Sequence, residues 1–180
     1  MADPEWNDPL DPRWARQSGG RWNPPDSHPT LYLNADIVTA RLQLVRLLEG
    51  TPVEPEDLAD TAYLLVATTL PRRQRCAVAL TPRSIVDLGL PESYPADREG
   101  QRIPHSVCQR IGVAVHRHGL RGVLARSAAS VDGRGTELAW FPATDRSRAR
   151  PVWDALRDFG EWRGAERWEE IGLEPQPEVR

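Results

Sequence analysis

The stretch Gly19-Gly20-Arg21-Trp22-Asn23-Pro24-Pro25 concentrates more binding chemistry than any other part of this chain. Its two glycines carry no Cβ and so let the backbone approach a ligand closely. The guanidinium of Arg21 offers planar donors to a phosphate or a carboxylate, and the amide of Asn23 adds two donors and an acceptor. The alternative interpretation is a glycine turn followed by a surface arginine. We therefore treat residues 19–25 as a candidate ligand-binding loop.

The flanking sequence predicts a single domain of α+β or mixed α/β class, built from short elements. Six prolines among the first thirty residues exclude a long helix, so we expect residues 1–17 to form an extended arm. Strands are expected at 31–33, 63–70, 76–80, 122–125 and 138–141, and helices at 36–49 and 105–118. The domain proper is predicted to span 18–150. The tryptophan-rich residues 151–180 are expected to form an amphipathic helical tail that covers the sheet.

Four polar residues outside the loop are further candidates for binding or catalysis. Tyr32 falls in the first predicted strand, where a tyrosine can equally be a packing residue with a satisfied hydroxyl. Arg126 and Ser127 follow the strand at 122–125, and a serine there can orient a ribose or a phosphate, or simply close a turn. Glu137 lies beside an apolar strand, where burial would raise its pKa and suit it to stabilise a cation or accept a proton. The alternative is a glutamate that faces solvent on an edge strand.

Composition excludes several classes of protein. The 180 residues include 26 acidic and 23 basic side chains, and the net charge of −3 disfavours direct contact with nucleic acid. Every basic residue is arginine, so the chain offers no P-loop lysine, Schiff-base lysine or lysine base. Its two cysteines and four histidines lack the spacing of a disulfide framework or a metal site. No apolar run reaches the roughly 18 residues of a membrane span, and the first residues lack a secretory pattern, so we expect a soluble, cytoplasmic protein.

In their order along the chain, these pieces resemble the RES domain family. The shared motifs are Gly20-Arg21-Trp22-Asn23-Pro24, Leu31-Tyr32-Leu33, Thr39-Ala40-Arg41, Leu88-Gly89-Leu90-Pro91, Gly119-Leu120, Arg126-Ser127-Ala128 and Trp140-Phe141-Pro142. Together they cover residues 18–143. The resemblance implies a compact domain with short-stranded sheets, flanking helices and a core similar to that of ADP-ribosyltransferases. It also implies the toxin of a bacterial Xre–RES toxin–antitoxin pair that consumes NAD⁺.

The resemblance also implies roles for individual residues. Arg21 would bind a phosphate of NAD⁺ or the attacking phosphate, Tyr32 would line the nicotinamide side, and Ser127 would contact the ribose. The wider set of expected NAD⁺-binding residues is Gly20, Arg21, Trp22, Asn23, Tyr32, Gln43, Arg126 and Ser127. The family's acid normally lies eleven residues after the tyrosine, and here that position is Gln43. Glu137 is therefore the best placed acid to join Arg21, Tyr32 and Ser127 in the catalytic set.

A second departure concerns the residues before the loop. Many members of the family carry a Tyr-Arg pair upstream of the loop arginine, and this chain has no such pair. Arg13 is the nearest substitute.

Three functions stay open at this point. The leading hypothesis is an enzyme that cleaves the nicotinamide–ribose bond of NAD⁺ by phosphorolysis or hydrolysis, with NAD⁺ as substrate, inorganic phosphate as the co-substrate of phosphorolysis, and no bound cofactor or metal. The second is a catalytically impaired RES-like module that binds a nucleotide or a protein, motivated by Gln43 and by the missing Tyr-Arg pair. The third is an ADP-ribosyltransferase that modifies a macromolecule. The expected partners are an Xre-type helix-turn-helix antitoxin and a second copy of the chain in a homo-oligomer, but neither nucleic acid nor a membrane.

Overall fold

The structure is a computed structural model that describes residues 1–130, 132–144 and 149–173, without the side chains of 153–155. Its helices are α1 (Arg13–Ser18), α2 (Ile37–Leu48), α3 (Pro82–Asp87), α4 (His105–Arg117) and α5 (Phe159–Trp162). Its strands are β1 (Leu31–Asn34), β2 (Leu64–Thr69), β3 (Ala77–Ala79), β4 (Gly122–Arg126), β5 (Thr136–Trp140) and β6 (Arg150–Asp158). Short 3₁₀ turns occur at Pro55–Asp57 and Trp168–Ile171. The predicted mixed α/β class is confirmed.

Four strands form the larger sheet, in the order β1-β5-β4-β3. β5 runs antiparallel to both β1 and β4, whereas β3 runs parallel to β4. Glu137 of β5 lies between Asn34 of the edge strand β1 and Ala125 of β4. This register places a carboxylate on a central strand of the sheet, next to the edge strand that carries Tyr32.

A side-chain cap at Asp36 fixes the start of helix α2. The Asp36 carboxylate accepts a hydrogen bond from the Thr39 N–H at 2.6 Å, which satisfies one of the free N–H groups of the first turn. The helix buries Ile37, Ala40 and Leu44 against the smaller sheet and α5. Gln43 is half-buried and lies one helical turn after the buried residues Thr39 and Ala40, at the margin of this face. The predicted helix at 36–49 is confirmed.

The largest cluster of buried side chains lies between α4 and the larger sheet. It includes Trp22, Cys108 and Phe141, all with no measurable exposure. A Cβ at Gly112 of α4 would collide with the backbone carbonyl of Trp22, so glycine permits the helix to approach the loop closely. The glycine-rich loop is therefore packed into the core and does not project as a free surface turn.

The smaller sheet pairs β2 with β6, and it corrects one prediction. Residues 151–180 were expected to be helical, but residues 150–158 form a strand because pairing with β2 satisfies their backbone groups. The helical structure that follows is limited to α5 and one 3₁₀ turn, and residues 174–180 lie outside the described residues.

The predicted extended arm at 1–17 is also wrong in part. Residues 13–18 contain no proline and form α1, between Pro12 and Gly19. The start of the chain is anchored as well, because Ala2 forms an antiparallel bridge with Leu64 of β2. The division into an arm, a domain at 18–150 and a tail stays a prediction.

Two observations on the described residues concern other classes of protein. No helix in these ranges has the length and apolar character needed to cross a membrane. Nor do three or more His, Cys, Asp or Glu side chains come together in these ranges as metal ligands would.

Candidate active site

A cleft of about 760 Å³ opens along the edge strand β1. Its polar lining includes Gly20, Arg21, Tyr32, Gln43, Arg46, His105 and Glu137. The volume falls within the range of roughly 300–1,000 Å³ that is typical of small-molecule sites. Segments far apart in the sequence thus enclose one space large enough for a nucleotide.

Hydrogen bonds hold the glycine-rich loop against Tyr32. The Tyr32 hydroxyl accepts from the Trp22 N–H at 2.8 Å and donates to Asn23 Oδ1 at 2.9 Å. The Gly20 N–H donates to the Asn23 carbonyl at 2.8 Å, which closes the turn around Arg21. A Cβ at Gly20 would lie 2.5–2.7 Å from three atoms of Tyr32, so the loop needs glycine there. Burial raises the pKa of Tyr32, and its hydroxyl stays protonated.

Arg21 lines the cleft from the centre of this turn. Its Nη1 donates to the Ile103 carbonyl at 3.1 Å and lies 3.9 Å from the sulfur of Cys108. Both contacts involve Nη1, whereas the half-buried guanidinium carries five N–H donors on its three nitrogens. Other donors of the same group are available to an anion in the cleft.

Glu137 is the most buried of the described acidic residues that line the cleft, with only 5% of its surface exposed. Its carboxylate accepts hydrogen bonds from Gln43 Nε2 at 3.0 Å and from the Ser127 hydroxyl, the Ala128 N–H and Trp22 Nε1, each at 3.4 Å. All four donors are uncharged groups. They orient the carboxylate without neutralising it.

Burial and charge act in opposite directions on Glu137. Burial raises its pKa above the usual range, while the positive charge of Arg21 and the hydrogen bonds from Ala128 and Trp22 oppose the rise without cancelling it. Above that raised pKa the carboxylate carries a negative charge that little water screens. Such a group can stabilise positive charge on a bound sugar.

Two basic side chains of the cleft were not predicted from the sequence. Arg46 lies one helical turn after Gln43 on α2, and this i,i+3 spacing brings both to the cleft. His105 lies at the start of α4, where burial lowers its pKa and the charges of Arg21 and Arg46 lower it further. Arg46 is also ion-paired with Glu49. We call Arg21, Arg46 and His105 the basic wall, because their mutual influence places them close together beside the cleft.

The structure divides the predicted site residues into two groups. Those that line the cleft are Gly20, Arg21, Tyr32, Gln43 and Glu137. Trp22, Asn23 and Ser127 are fully buried, and they hold Tyr32 and Glu137 in place by the hydrogen bonds given above. The action of all these residues on a substrate stays a prediction.

Arg126 and Arg13 lie apart from these groups. Arg126 Nε donates to the Leu80 carbonyl at 3.0 Å, and the residue does not belong to the described lining of the cleft. Arg13 pairs with Asp11 at 2.6 Å and is largely exposed. The binding role expected of Arg126 therefore stays a prediction, as does that of Arg13 as a substitute for the missing pair.

Comparison with known proteins identifies the family of the chain. A sequence profile of the RES domain matches residues 2–159. The chain belongs to the RES domain family. The proteins named NAD(+) phosphorylase MbcT from Mycobacterium tuberculosis and Mycobacterium bovis are each 28% identical to this RES domain protein over 128 residues, or 69% of its length. The match spans 63% of the length of those relatives.

A solved structure shares the fold. The M. tuberculosis MbcT–MbcA toxin–antitoxin complex matches with a TM-score of 0.70 and 23% sequence identity. The match covers 91% of this chain and 86% of the other. The family match to residues 2–159 extends the likeness beyond residues 18–143, where the shared motifs lie, to the N-terminal segment and the smaller sheet.

Proposed function

We propose that this RES domain protein cleaves the bond between nicotinamide and ribose in NAD⁺ and transfers the ADP-ribosyl group to inorganic phosphate. The observation that carries the proposal is Glu137, a buried carboxylate that four neutral donors fix at a nucleotide-sized cleft. The name NAD(+) phosphorylase, borne by relatives 28% identical to the chain, supports the same chemistry here.

The reaction separates charge at the anomeric carbon of the ribose. When the C1′–N bond breaks, its electron pair passes to the nitrogen, nicotinamide leaves as a neutral molecule, and positive charge develops on the sugar. Ionised Glu137 stabilises this charge. A phosphate oxygen then forms the new bond to this anomeric carbon, which is numbered C1″ in ADP-ribose, and gives ADP-ribose 1″-phosphate. If water attacks in its place, it loses a proton and the product is ADP-ribose.

The basic wall supports phosphate as the attacking group. Arg21 and Arg46 line the same cleft as Glu137, and arginine binds phosphate oxygens with two parallel N–H donors. A neutral His105 can add one further donor. The same side chains suit the diphosphate of the dinucleotide, so their removal should weaken binding of one or both anions.

The test is to incubate the purified protein with NAD⁺, with and without inorganic phosphate, and to follow nicotinamide release. We expect release that depends on phosphate, with ADP-ribose 1″-phosphate identified by mass spectrometry. Equal release without phosphate would indicate hydrolysis. Incorporation of ADP-ribose into added protein or nucleic acid would indicate transfer to a macromolecule. The Glu137→Gln variant is the control for contaminating activity.

Gln43 favours a second candidate function, that of a nucleotide-binding module with impaired catalysis. The side chain stands where the family normally carries its acid, and an amide cannot offset positive charge. This candidate predicts that the wild-type protein binds NAD⁺ in a calorimetric titration but releases no nicotinamide under either condition.

We also propose that the protein is a toxin that a helix-turn-helix antitoxin neutralises. The support is the likeness to a chain solved in a toxin–antitoxin complex. Induced expression in bacteria should deplete cellular NAD⁺ and arrest growth, and co-expression of the protein encoded by the adjacent gene should prevent both effects. Arrest by the Glu137→Gln variant as strong as that by the wild type would contradict the proposed cause.

A further inference from the structure

The cleft has an aromatic wall that the chemistry above does not use. Trp6 and Trp14 both line it, and their rings stack with centroids 5.3 Å apart and planes inclined by 17°. Trp14 nevertheless keeps 46% of its surface exposed. Tryptophan is usually well buried, because exposing so large a ring to water is unfavourable. A flat ligand in the cleft would cover this surface.

The position of Trp14 is coupled to that of the glycine-rich loop. Trp14 lies on α1, which leads directly into Gly19 and Gly20. Asn23 Nδ2 donates to the Ala15 carbonyl at 2.7 Å, and the Ser18 hydroxyl donates to the Trp14 carbonyl at 2.9 Å. The first bond ties the short helix to the loop that carries Arg21, and the second lies within the helix. The ring is therefore presented at a fixed position relative to the residue that is expected to bind phosphate.

We propose that Trp14, backed by Trp6, stacks against the adenine ring of the dinucleotide, an inference that rests on the proposed function. NAD⁺ carries two flat bases joined through two riboses and a diphosphate. The nicotinamide is bonded directly to the reacting carbon and must lie beside Glu137, so the remaining base needs its own surface in the same cleft. An indole face binds any base by stacking and needs no hydrogen-bond partner.

The test compares NAD⁺ with nicotinamide mononucleotide, which has the same reacting bond but no adenosine half. The variants are Trp14→Ala, Trp14→Phe and, as a control, Val86→Ala, which shortens an exposed side chain of α3 outside the cleft. Trp14→Ala should raise the KM for NAD⁺ by roughly ten- to hundredfold, the typical effect of losing one base stack, with a far smaller change for the mononucleotide. Trp14→Phe should recover most of the loss, and Val86→Ala should behave as wild type.

Direct binding separates this inference from the proposed function. ADP-ribose, which keeps the adenine but lacks nicotinamide, should bind the wild-type protein in a calorimetric titration and bind Trp14→Ala at least about tenfold more weakly. If the wild-type protein binds ADP-ribose in this way but releases no nicotinamide from NAD⁺, the adenine assignment stands and the proposed function fails. The adenine assignment would be overturned if Trp14→Ala raised the KM for NAD⁺ and for the mononucleotide equally, or if it bound ADP-ribose as tightly as the wild type. Neither result would affect the proposed function, as long as the wild-type protein turns over NAD⁺.

Discussion

Among the described residues, three acidic side chains line the cleft, and their partners distinguish them. Asp11 is paired with Arg13 at 2.6 Å, and Glu49 is paired with Arg46. Glu137 accepts the hydrogen bonds given above from neutral donors, although Arg21 is near enough to oppose the rise of its pKa. That difference is why we propose Glu137 as the group that stabilises positive charge on the sugar.

Glu137→Gln should lower kcat for NAD⁺ by a factor of about 10²–10³, the typical effect of removing one electrostatic group. The amide keeps the shape of the side chain, so NAD⁺ affinity and the melting temperature should stay near the wild-type values. Because the pKa of Glu137 is raised, wild-type activity should fall as the pH drops through that pKa, and the variant should lack this acid limb. Initial rates between pH 4 and 8 provide the measurement, and a variant with full activity would assign the acid elsewhere.

Arg21→Ala should weaken NAD⁺ binding more than it slows the chemical step. Charge-assisted hydrogen bonds contribute about 1.5–3 kcal/mol each, so the dissociation constant should rise by roughly ten- to hundredfold. Ser127→Ala is the comparison, because Ser127 contacts Glu137 in the buried interior and its loss should cost only about 1 kcal/mol. Calorimetric titration of both variants with NAD⁺ tests the ranking. A larger loss of affinity in Ser127→Ala would mean that the two roles are reversed.

At the scale of elements, the site depends on the meeting of α2 and β5. Gln43 of the helix donates to Glu137 of the strand at 3.0 Å. An amide and a carboxylate form this bond whichever element supplies each of them. The contact therefore offers a way to separate the chemistry of the pair from its location.

Exchanging the two side chains should restore activity that the single substitution removes. In the double variant Gln43→Glu/Glu137→Gln, one carboxylate and one amide still share the hydrogen bond, with the charge moved to the helix. We expect kcat to recover at least about tenfold relative to Glu137→Gln alone. Gln43→Glu alone should behave differently, since two adjacent carboxylates hold a proton between them and shift the acid limb to higher pH. If the double variant recovers neither kcat nor the acid limb of the pH profile, the location of the charge is essential.

The elements that the sequence predicted are those stabilised by local chemistry. Helix α2 was predicted because its cap at Asp36 and its apolar spacing are visible within fifteen residues. β6 was not predicted, because its stability comes from β2, more than eighty residues earlier in the chain. α1 was not predicted, because six prolines among the first thirty residues disfavour a long helix. The short helix needs only the six proline-free residues Arg13–Ser18.

At the scale of the whole molecule, the cleft residues that belong to sequence motifs were predicted. Those that only tertiary packing brings to the cleft were not. Arg21 and Tyr32 were predicted as site residues because they lie eleven residues apart within motifs of recognisable order, and both line the cleft. Arg46 could have been found from its i,i+3 spacing to Gln43. His105 gives no comparable sign, since only the packing of α4 against the glycine-rich loop brings it to the cleft. Contacts between distant segments are set by tertiary packing, which no local pattern records.

The same packing makes the stability of the molecule sensitive to acid. His28, which follows the glycine-rich loop, is 6% exposed and stacks on His116 of α4 with ring centroids 4.4 Å apart and on the edge of Phe141 at the same distance. In the described structure its Nε2 is buried without a hydrogen-bond partner. Burial, and then the nearby charge of His116, lowers the pKa of His28 from 6.5 to about 4. The pKa of His116 is lowered too, by burial and by Arg121.

The free energy of unfolding should therefore decrease as the pH falls from about 6.5 to about 4. Between these values the unfolded chain binds a proton at His28 and the folded chain does not, so the stabilisation present above pH 6.5 is lost in this window. At about 1.4 kcal/mol per pKa unit, the difference between 6.5 and about 4 makes His28 alone account for about 3 kcal/mol. His28→Phe keeps an aromatic ring against His116 and removes the titration, so its stability should depend less on pH. Urea unfolding at pH 7 and pH 4.5 measures the difference, and equal pH dependence in the two proteins would mean that His28 titrates normally in the folded state.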